Sequence, residues 1–452
     1  MSEVWLSEVL SDEDIRLEEK YYSSKRPTFK SVKGEEIEFF SQYGTSKDLN
    51  EEGLGFPVLR LNEFESFFIS KPAKYCNLID YDTYVSLQLK KNDVLICRTN
   101  GNPKYVGKAA IVPKDYDYAF ASYLFRVRPN SNLINSATLV TFLNSDYGRK
   151  EIEKFSMVSN QANFSPAKFR KISIPLFSYH FNKTIEETVY RAYDLFKNSN
   201  SLYIAAEDQL LSELGLKGWQ PNNNNINVKT LKESFLSSGR LDAEYYQSKY
   251  DELQHKLKAY RDGYMNLSAI ANTYRGNFIS EEMYCDDVNC RAYIRGADIS
   301  SNILTNDKCV YIDKKFVQTH ENTCLLNDIV IALIGSVGTA ARITEEYVGS
   351  YISNNLGLIR ITNDRIKSEY LHLFLTSQYI GKYFFEQKEM RTAQPKISDK
   401  DIWDFPIPLL SQSIQESICV KIQQSFALKA ESKRLLEEAK MMVEQEIEKG
   451  GK

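Results

Sequence analysis

KTIEETVYRAYDLFKNSNSLYIAAEDQLLSEL, residues 183–214, reads as one long amphipathic helix. Apolar residues fall at Ile185, Val189, Ala192, Leu195, Phe196, Leu202, Ala205, Ala206, Leu210, Leu211 and Leu214, and steps of three and four keep them on one face. Thr184 with Glu187 predicts a capping box at the start, and Gly215 a stop. At roughly 1.5 Å of rise per residue the rod is about 48 Å long. A similar stretch runs from Ser413 to about Glu448, with Ser413 and Glu416 as its capping box and a stripe of Ile414, Ile418, Ile422, Phe426, Leu428, Leu435, Leu436, Ala439, Val443 and Ile447. Stripes this long need a partner face, and each rod is the obvious partner of the other. The competing reading packs each rod only on its own neighbouring domain.

Working outward, the chain repeats itself once, at an offset of about 233 residues, as Ile174 against Ile407 shows. Arg16-Leu17-Glu18 with Tyr21-Tyr22-Ser23-Ser24-Lys25 parallels the run from Arg240 to Lys249. Asn92-Asp93-Val94-Leu95-Ile96 parallels Asn327-Asp328-Ile329-Val330-Ile331, and Val106-Gly107-Lys108-Ala109-Ala110 parallels Val337-Gly338-Thr339-Ala340-Ala341. Phe142-Leu143-Asn144-Ser145 matches Phe374-Leu375-Thr376-Ser377, and Ile174-Pro175-Leu176 matches Ile407-Pro408-Leu409. Each match alone is at the level of chance; their common order signals duplication. Each half is then a globular part, β-rich in its middle and helical around 136–155 or 365–388, followed by a rod. Gly218-Trp219-Gln220-Pro221 and the Asn run 222–225 form a linker by composition. The expected spans are 1–181, a first domain; 182–216, the central rod; 217–229, the linker; 230–411, a second domain; and 412–452, the terminal rod.

The totals fit this plan. The chain has 452 residues, 42% hydrophobic and 26% charged, enough for two or three domains with substantial cores. A net charge of -3 excludes a polycation and leaves local basic patches open. Seven cysteines without a regular framework, no signal peptide and no long apolar segment predict a reduced, cytoplasmic chain with no membrane partner. Four scattered histidines argue against a metal site.

Two similar heads held at a fixed separation suit a ligand with two sites. If the rods pair antiparallel, the heads are related by a pseudo-two-fold axis. Duplex DNA offers such a ligand, with half-sites spaced by about one helical turn or multiples of it. Residues 91–180 are net basic and carry Arg98, Lys104, Lys108, Arg126, Arg128, Lys168, Arg170 and Lys171, a pattern suited to phosphate contact. Four loops are rich in hydrogen-bonding groups: Gln42 to Ser46 with Arg60 shortly beyond, Arg98 to Asn102, Gln161 to Asn163, and Gln394 to Lys396. Arg suits guanine, and Asn and Gln suit adenine, through paired hydrogen bonds. The expected DNA-contacting residues of the first half are Tyr43, Thr45, Ser46, Arg60, Arg98, Thr99, Asn100, Lys104, Lys108, Gln161 and Asn163. Those of the second half are Tyr274, Arg275, Asn277, Arg295, Ser336, Thr339, Gln394 and Lys396. Each taken singly reads more readily as a plain turn or a satisfied surface residue; only their paired placement in the two halves lifts them.

Catalytic readings find no support. Gly101 to Lys108 has five residues between its glycines where a P-loop has four, and Ala109 stands where Ser or Thr would hold magnesium. Gly335 to Gly338 lacks the remaining glycine of a dinucleotide loop, and Cys285 and Cys290 have no second ligand pair. The chain carries no Asn-Pro-Pro-aromatic or Asp-Pro-Pro-Tyr tetrapeptide of the amino-methyltransferase kind.

With its duplicated halves, the Arg-Leu-Asp-Ala-Glu-Tyr-Tyr run from Arg240, Tyr43-Gly44-Thr45-Ser46, Ile-Pro-Leu before each rod, and Ala206-Glu207 before Leu210-Leu211 and Leu214-Gly215-Leu216, the chain resembles the specificity subunit of type I restriction-modification systems. The resemblance implies two tandem α+β target-recognition domains, each followed by a long helix, the helices forming an antiparallel coiled coil. It implies a non-catalytic subunit whose domains each read one half of a bipartite, asymmetric DNA target. The implied partners are double-stranded DNA, two modification subunits that methylate adenine, and restriction subunits that translocate and cleave. S-adenosylmethionine, ATP and magnesium belong to those partners, and no cofactor to this chain. The first exit, Pro175-Leu176-Phe177, lacks the family's frequent Leu-Pro-x-x-Glu-Gln continuation, and the terminal rod lacks the Leu-Gly-Leu ending. The competing functions are a coiled-coil scaffold whose heads bind proteins and an enzyme for which no motif speaks.

Overall fold

The computed structural model describes residues 29–156, 162–221, 226–285, 290–305, 309–313, 315, 322–390 and 394–450. The chain divides into two compact units, Met1–Ser199 with Ala427–Lys452, and Asn200–Phe426. Each rod therefore contributes to both units.

In the first unit the run Val94–Cys97 is buried at every position. Such a run is a central strand covered on both faces. It lies between Leu124–Pro129 and Ala109–Ile111, with Glu38–Tyr43 on the far edge, and every pairing is antiparallel. Side chains alternate across it as strand geometry requires. Val94 and Ile96 join the core formed with helices Ser136–Asn144 and Asp146–Phe155, while Leu95 and Cys97 join Val58, Leu59 and Phe120 on the opposite face. Those last residues belong to a three-stranded sheet in which Phe56–Leu59 pairs antiparallel with Lys74–Cys76 and parallel with Ala119–Phe120. Each large apolar side chain so buried contributes about 1.5–3 kcal/mol.

The second unit repeats this plan strand for strand. Ile329–Ala332 lies between Leu356–Ile361 and Ala340–Arg342, with Ala271–Arg275 on the edge. Ile329 and Ile331 face the core built with helices Ser368–Thr376 and Gly381–Lys388, and Val330 and Ala332 face the other. Cys290–Ile294 pairs antiparallel with Val310–Asp313 and parallel with Tyr351–Ile352. The duplication read from weak sequence matches is thus a duplication of topology, pairing sense and strand order. The match carried by residues 16–25 lies outside the described residues, as does the Asn run 222–225.

The paired motifs have a physical basis. Asn92 and Asn327 both sit at φ +69°, a left-handed turn that Asn tolerates, immediately before the central strand. The following Asp is buried in both units. Asp93 accepts from Lys90 N at 2.9 Å, from Arg126 at 3.0 Å and from Arg128 Nε at 2.6 Å. Asp328 accepts from Leu325 N at 2.8 Å and from Arg360 at 2.8 Å. Gly107 and Gly338 lie at φ +78° and +83°, and a Cβ there would stand 2.5 Å from Ile152 and 2.4 Å from Phe385. Left-handed backbone costs a residue with a Cβ about 1–2 kcal/mol and overpacking about 1–3 kcal/mol. Gly107→Ala and Gly338→Ala should each destabilise their own unit by about 2–4 kcal/mol in denaturant titrations; an unchanged midpoint would show that neighbouring side chains yield freely.

The first rod is helix Tyr179–Glu213, beginning ahead of the predicted box. Ser178 is the cap, its Oγ accepting from Phe181 N at 3.2 Å, while Thr184 Oγ1 donates back to His180 O at 3.1 Å within the helix. The second rod is Gln412–Gly450, with Ser411 Oγ accepting from Ile414 N at 3.4 Å. In the first unit Ile185, Val189, Ala192 and Phe196 share one core with Leu435, Leu436, Ala439, Val443 and Ile447, and Ser432 Oγ donates to Ala192 O at 2.7 Å. In the second unit Ala206, Leu210 and Leu211 share a core with Ile418 and Ile422. There Gln209 accepts from Lys421 Nζ at 2.8 Å and Tyr203 lies 6.4 Å from Phe426, so the rods run antiparallel. The reading that each rod packs only on its own globular part is set aside by these contacts. Ala205, placed in the predicted stripe, is exposed, and Ser199 is buried in its stead.

Cys285 and Cys290 are paired in a disulfide, against the expectation of a fully reduced chain; Cys76, Cys97, Cys309, Cys324 and Cys419 are free. Among the described residues no helix is long and apolar enough to cross a membrane.

Candidate nucleic-acid interface

Strand direction gathers the loops of the first unit. Tyr43 pairs with Phe125, Leu124 with Cys97, and Ile96 with Ala109. The loops 43–46, 98–108 and 121–123 therefore leave the same end of the central sheet. Asn163 joins them through a bridge to Thr99, with Phe164 N donating to Arg98 O at 2.7 Å and Thr99 Oγ1 to Ala162 O at 3.3 Å. Gln161 lies outside the described residues.

Tyr43 is 45% exposed, and the Arg98 guanidinium lies 5.2 Å above its ring. Arg98 Nε is buried and has no hydrogen-bond partner among the described residues. A cation stacked on a half-exposed ring is a planar, preoriented donor. Asn100 has a local task, its Oδ1 accepting from Asn102 N at 2.8 Å. Lys104 and Ser46 are exposed, and Lys108 is half-buried with Nζ 5.9 Å from the Tyr105 ring. Arg149 donates to Lys104 O at 3.2 Å; burial pulls its guanidinium below the usual range against the attraction of Glu153. Thr45 is buried, its hydroxyl accepting from Lys47 N at 3.2 Å.

The expected basic face is partly an interior feature. Arg126 is 1% exposed and donates to Asp93, Gln88 O, Ser86 O and Gln42 Oε1. Arg128 pairs with Asp93, Arg170 with Glu38 at 2.7 Å, and Lys168 Nζ donates to Asn163 O at 2.9 Å. Burial imposes the Arg126 arrangement, because a desolvated guanidinium needs a carboxylate or carbonyls, while Arg128 and Arg170 stay partly exposed beside their carboxylates. Arg60 is likewise engaged, clasping the buried Glu63 at 2.7 Å, and Arg295 does the same with buried Asp298 at 3.5 Å. In both units this clasp fixes the turn after the middle strand of the three-stranded sheet.

The second unit gathers the equivalent loops. Arg275 pairs with Gly357, Ala332 with Leu356, and Ile331 with Ala340. Lys396 bridges Ile334, and Gly335 N donates to Pro395 O at 2.9 Å, which brings Gln394 and Lys396 beside Ser336. Asn277, Ser336, Gln394 and Lys396 are exposed; Thr339 is half-buried. Arg275 is tied down, Nε donating to Asn354 O at 3.1 Å and a terminal nitrogen to Asp399 at 3.2 Å. Tyr274 lies 5.2 Å beneath the Arg360 guanidinium, which pairs with Asp328. One residue of this face escaped the sequence reading: Phe278, 73% exposed, follows Asn277 directly. Nothing in composition or spacing distinguishes it. His372 is no base for this site, being fully buried and pushed down to about 4 by desolvation.

Residues 264–440 match the family model described as the type I restriction modification DNA specificity domain. Over 357 residues the chain is 28% identical to the type I restriction enzyme StySPI specificity subunit of Salmonella potsdam, covering 76% of this chain and 69% of that one. The chain resembles a type I specificity subunit. Among solved structures, the type I restriction-modification S subunit from M. genitalium aligns over 95% of this chain and 98% of its own, at 12% identity and a TM-score of 0.42. The HsdS subunit from Thermoanaerobacter tengcongensis aligns over 93% and 97%, at 13% identity and a TM-score of 0.31. In this specificity-subunit-like chain the gathered loops stand at corresponding ends of two equivalent sheets. Among the described residues no group of three His, Cys, Asp or Glu side chains is placed to hold a metal ion.

Proposed function

We propose that the chain is the sequence-reading subunit of a type I restriction-modification complex. Each unit reads one half of a bipartite, asymmetric duplex target, and the paired rods set the spacing between halves. The observation that carries this reading is the repeated loop cluster at the same end of two topologically identical sheets, with different side chains in each copy. Equal scaffolds with unequal loops suit two half-sites of unequal sequence. Two modification subunits methylate adenine in the target, and restriction subunits translocate and cleave. S-adenosylmethionine, ATP and magnesium act in those partners. The chain's net charge of -3 fits a subunit that shares phosphate contact with larger companions.

Binding of the complex to duplex DNA should weaken steeply with salt, with a logarithmic slope of roughly one per phosphate contacted. A scaffold whose heads bind proteins would give no such slope, and an enzyme would not co-purify with a methyltransferase. Arg98→Ala should cost about 1–3 kcal/mol of binding and relax discrimination at a single position of one half-site. Equal losses on every DNA sequence would reassign Arg98 to phosphate contact.

A further inference from the structure

Phe278 projects 73% exposed from a loop whose backbone is clamped on both sides of it. The hydroxyl of Tyr293 donates to Asn277 O at 2.6 Å and accepts from Ile279 N at 3.2 Å. Tyr293 is itself 3% exposed, on the middle strand of the three-stranded sheet. Asn277 is held again by a parallel bridge to Ser353. An apolar ring left in water on a rigid loop is the form of a binding hot spot, because its ordering cost is met before the ligand arrives.

The other copy of the fold supplies the contrast. Thr45 bridges Ala121 as Asn277 bridges Ser353, so Ser46 stands where Phe278 does. Val58 pairs with Ala119 as Tyr293 pairs with Tyr351, so Val58 stands where the clamping tyrosine does. The exposed ring and the clamp occur together in the second unit, and at the two equivalent positions of the first, Ser46 and Val58, neither is present. A tyrosine needed only for packing would not explain why its hydroxyl spans the residue that carries the ring. Asn277 precedes Phe278 directly, and the other loops at this end of the sheet present Ser336, Gln394 and Lys396, polar groups suited to base edges and phosphates.

We infer that Phe278 is a specificity-determining residue of the second unit, taking the 5-methyl group of a thymine in the major groove. Phenylalanine is one of the few side chains that reads this group, since the contact is purely apolar. The inference rests on the DNA-reading function proposed above, and its test separates the two.

The complex of this chain with its modification subunits is titrated with its target duplex and with duplexes in which single thymines of the half-sites are replaced by deoxyuridine. The intact chain should lose about fourfold in affinity at one thymine of one half-site, the effect of one methyl group. Phe278→Ala should bind the full target roughly tenfold more weakly and be indifferent to that replacement. Tyr293→Phe, which keeps the ring and removes both clamping hydrogen bonds, should fall between them. If Phe278→Ala binds as the intact chain does, or if the intact chain senses no thymine methyl, the inference is overturned while salt-dependent DNA binding still stands. If the intact complex shows no salt-dependent DNA binding at all, the underlying function fails instead.

Discussion

Insertion of seven residues into each rod at the boundary of the two units, after Ser199 and after Phe426, should move the half-sites apart without changing their sequences. Seven residues are nearly two helical turns, so both apolar stripes stay in register, and the added length is about 10.5 Å. At roughly 3.4 Å per base pair this lengthens the spacer by up to about three base pairs. The original target should then go unmethylated and a respaced one be methylated. The matching insertion in the second rod is needed because both rods share a core in each unit: Val189 with Leu436 in the first, Leu210 with Ile418 in the second. Changed half-site letters at an unchanged spacing would refute the division between reading heads and spacing rods.

Asp93→Ala should be the most damaging single substitution in the first unit. It removes the carboxylate that neutralises Arg126, which is 1% exposed and has no route back to water. Leaving a buried charge uncompensated costs about 3–5 kcal/mol, comparable to much of a domain's stability. Asp328→Ala should cost less, because the Arg360 side chain keeps 20% of its surface and rehydrates in part. Denaturant titration followed by a probe in each unit checks this: Asp93→Ala shifts the transition of the first unit, Asp328→Ala that of the second by a smaller amount. Equal shifts would mean that the burial of Arg126 carries no extra weight.

The two aspartates also show what was legible. Asn92-Asp93 and Asn327-Asp328 match as text, and the match is real because the same left-handed turn and buried carboxylate recur. The role of the Asp was hidden, since its arginines lie on a strand more than thirty residues later and their direction depends on register. For the same reason Arg126 and Arg128 read as surface charge. Rods declare themselves through a repeating stripe, which marks both helices but sets the start of the first later than Tyr179. The capping box at Thr184 and Glu187 is a better local signal than Ser178, yet the helix starts at Tyr179, Ser178 Oγ accepts from Phe181 N, and Thr184 lies inside the helix. Among the loops, exposure decides what can reach a ligand. Ser336, Gln394 and Lys396 are presented, whereas Arg60 and Arg295 are held by carboxylates three residues on, and Arg275 by Asp399, which no local pattern predicts.

In the proposed function two like-built heads each read their own half of a divided target. Methylome sequencing of a host carrying this chain with its modification partner tests it directly. One new motif is expected, split by a spacer of fixed length, asymmetric between its halves and methylated at adenine on both strands. A continuous motif, or no new methylation with the partner active, would contradict it.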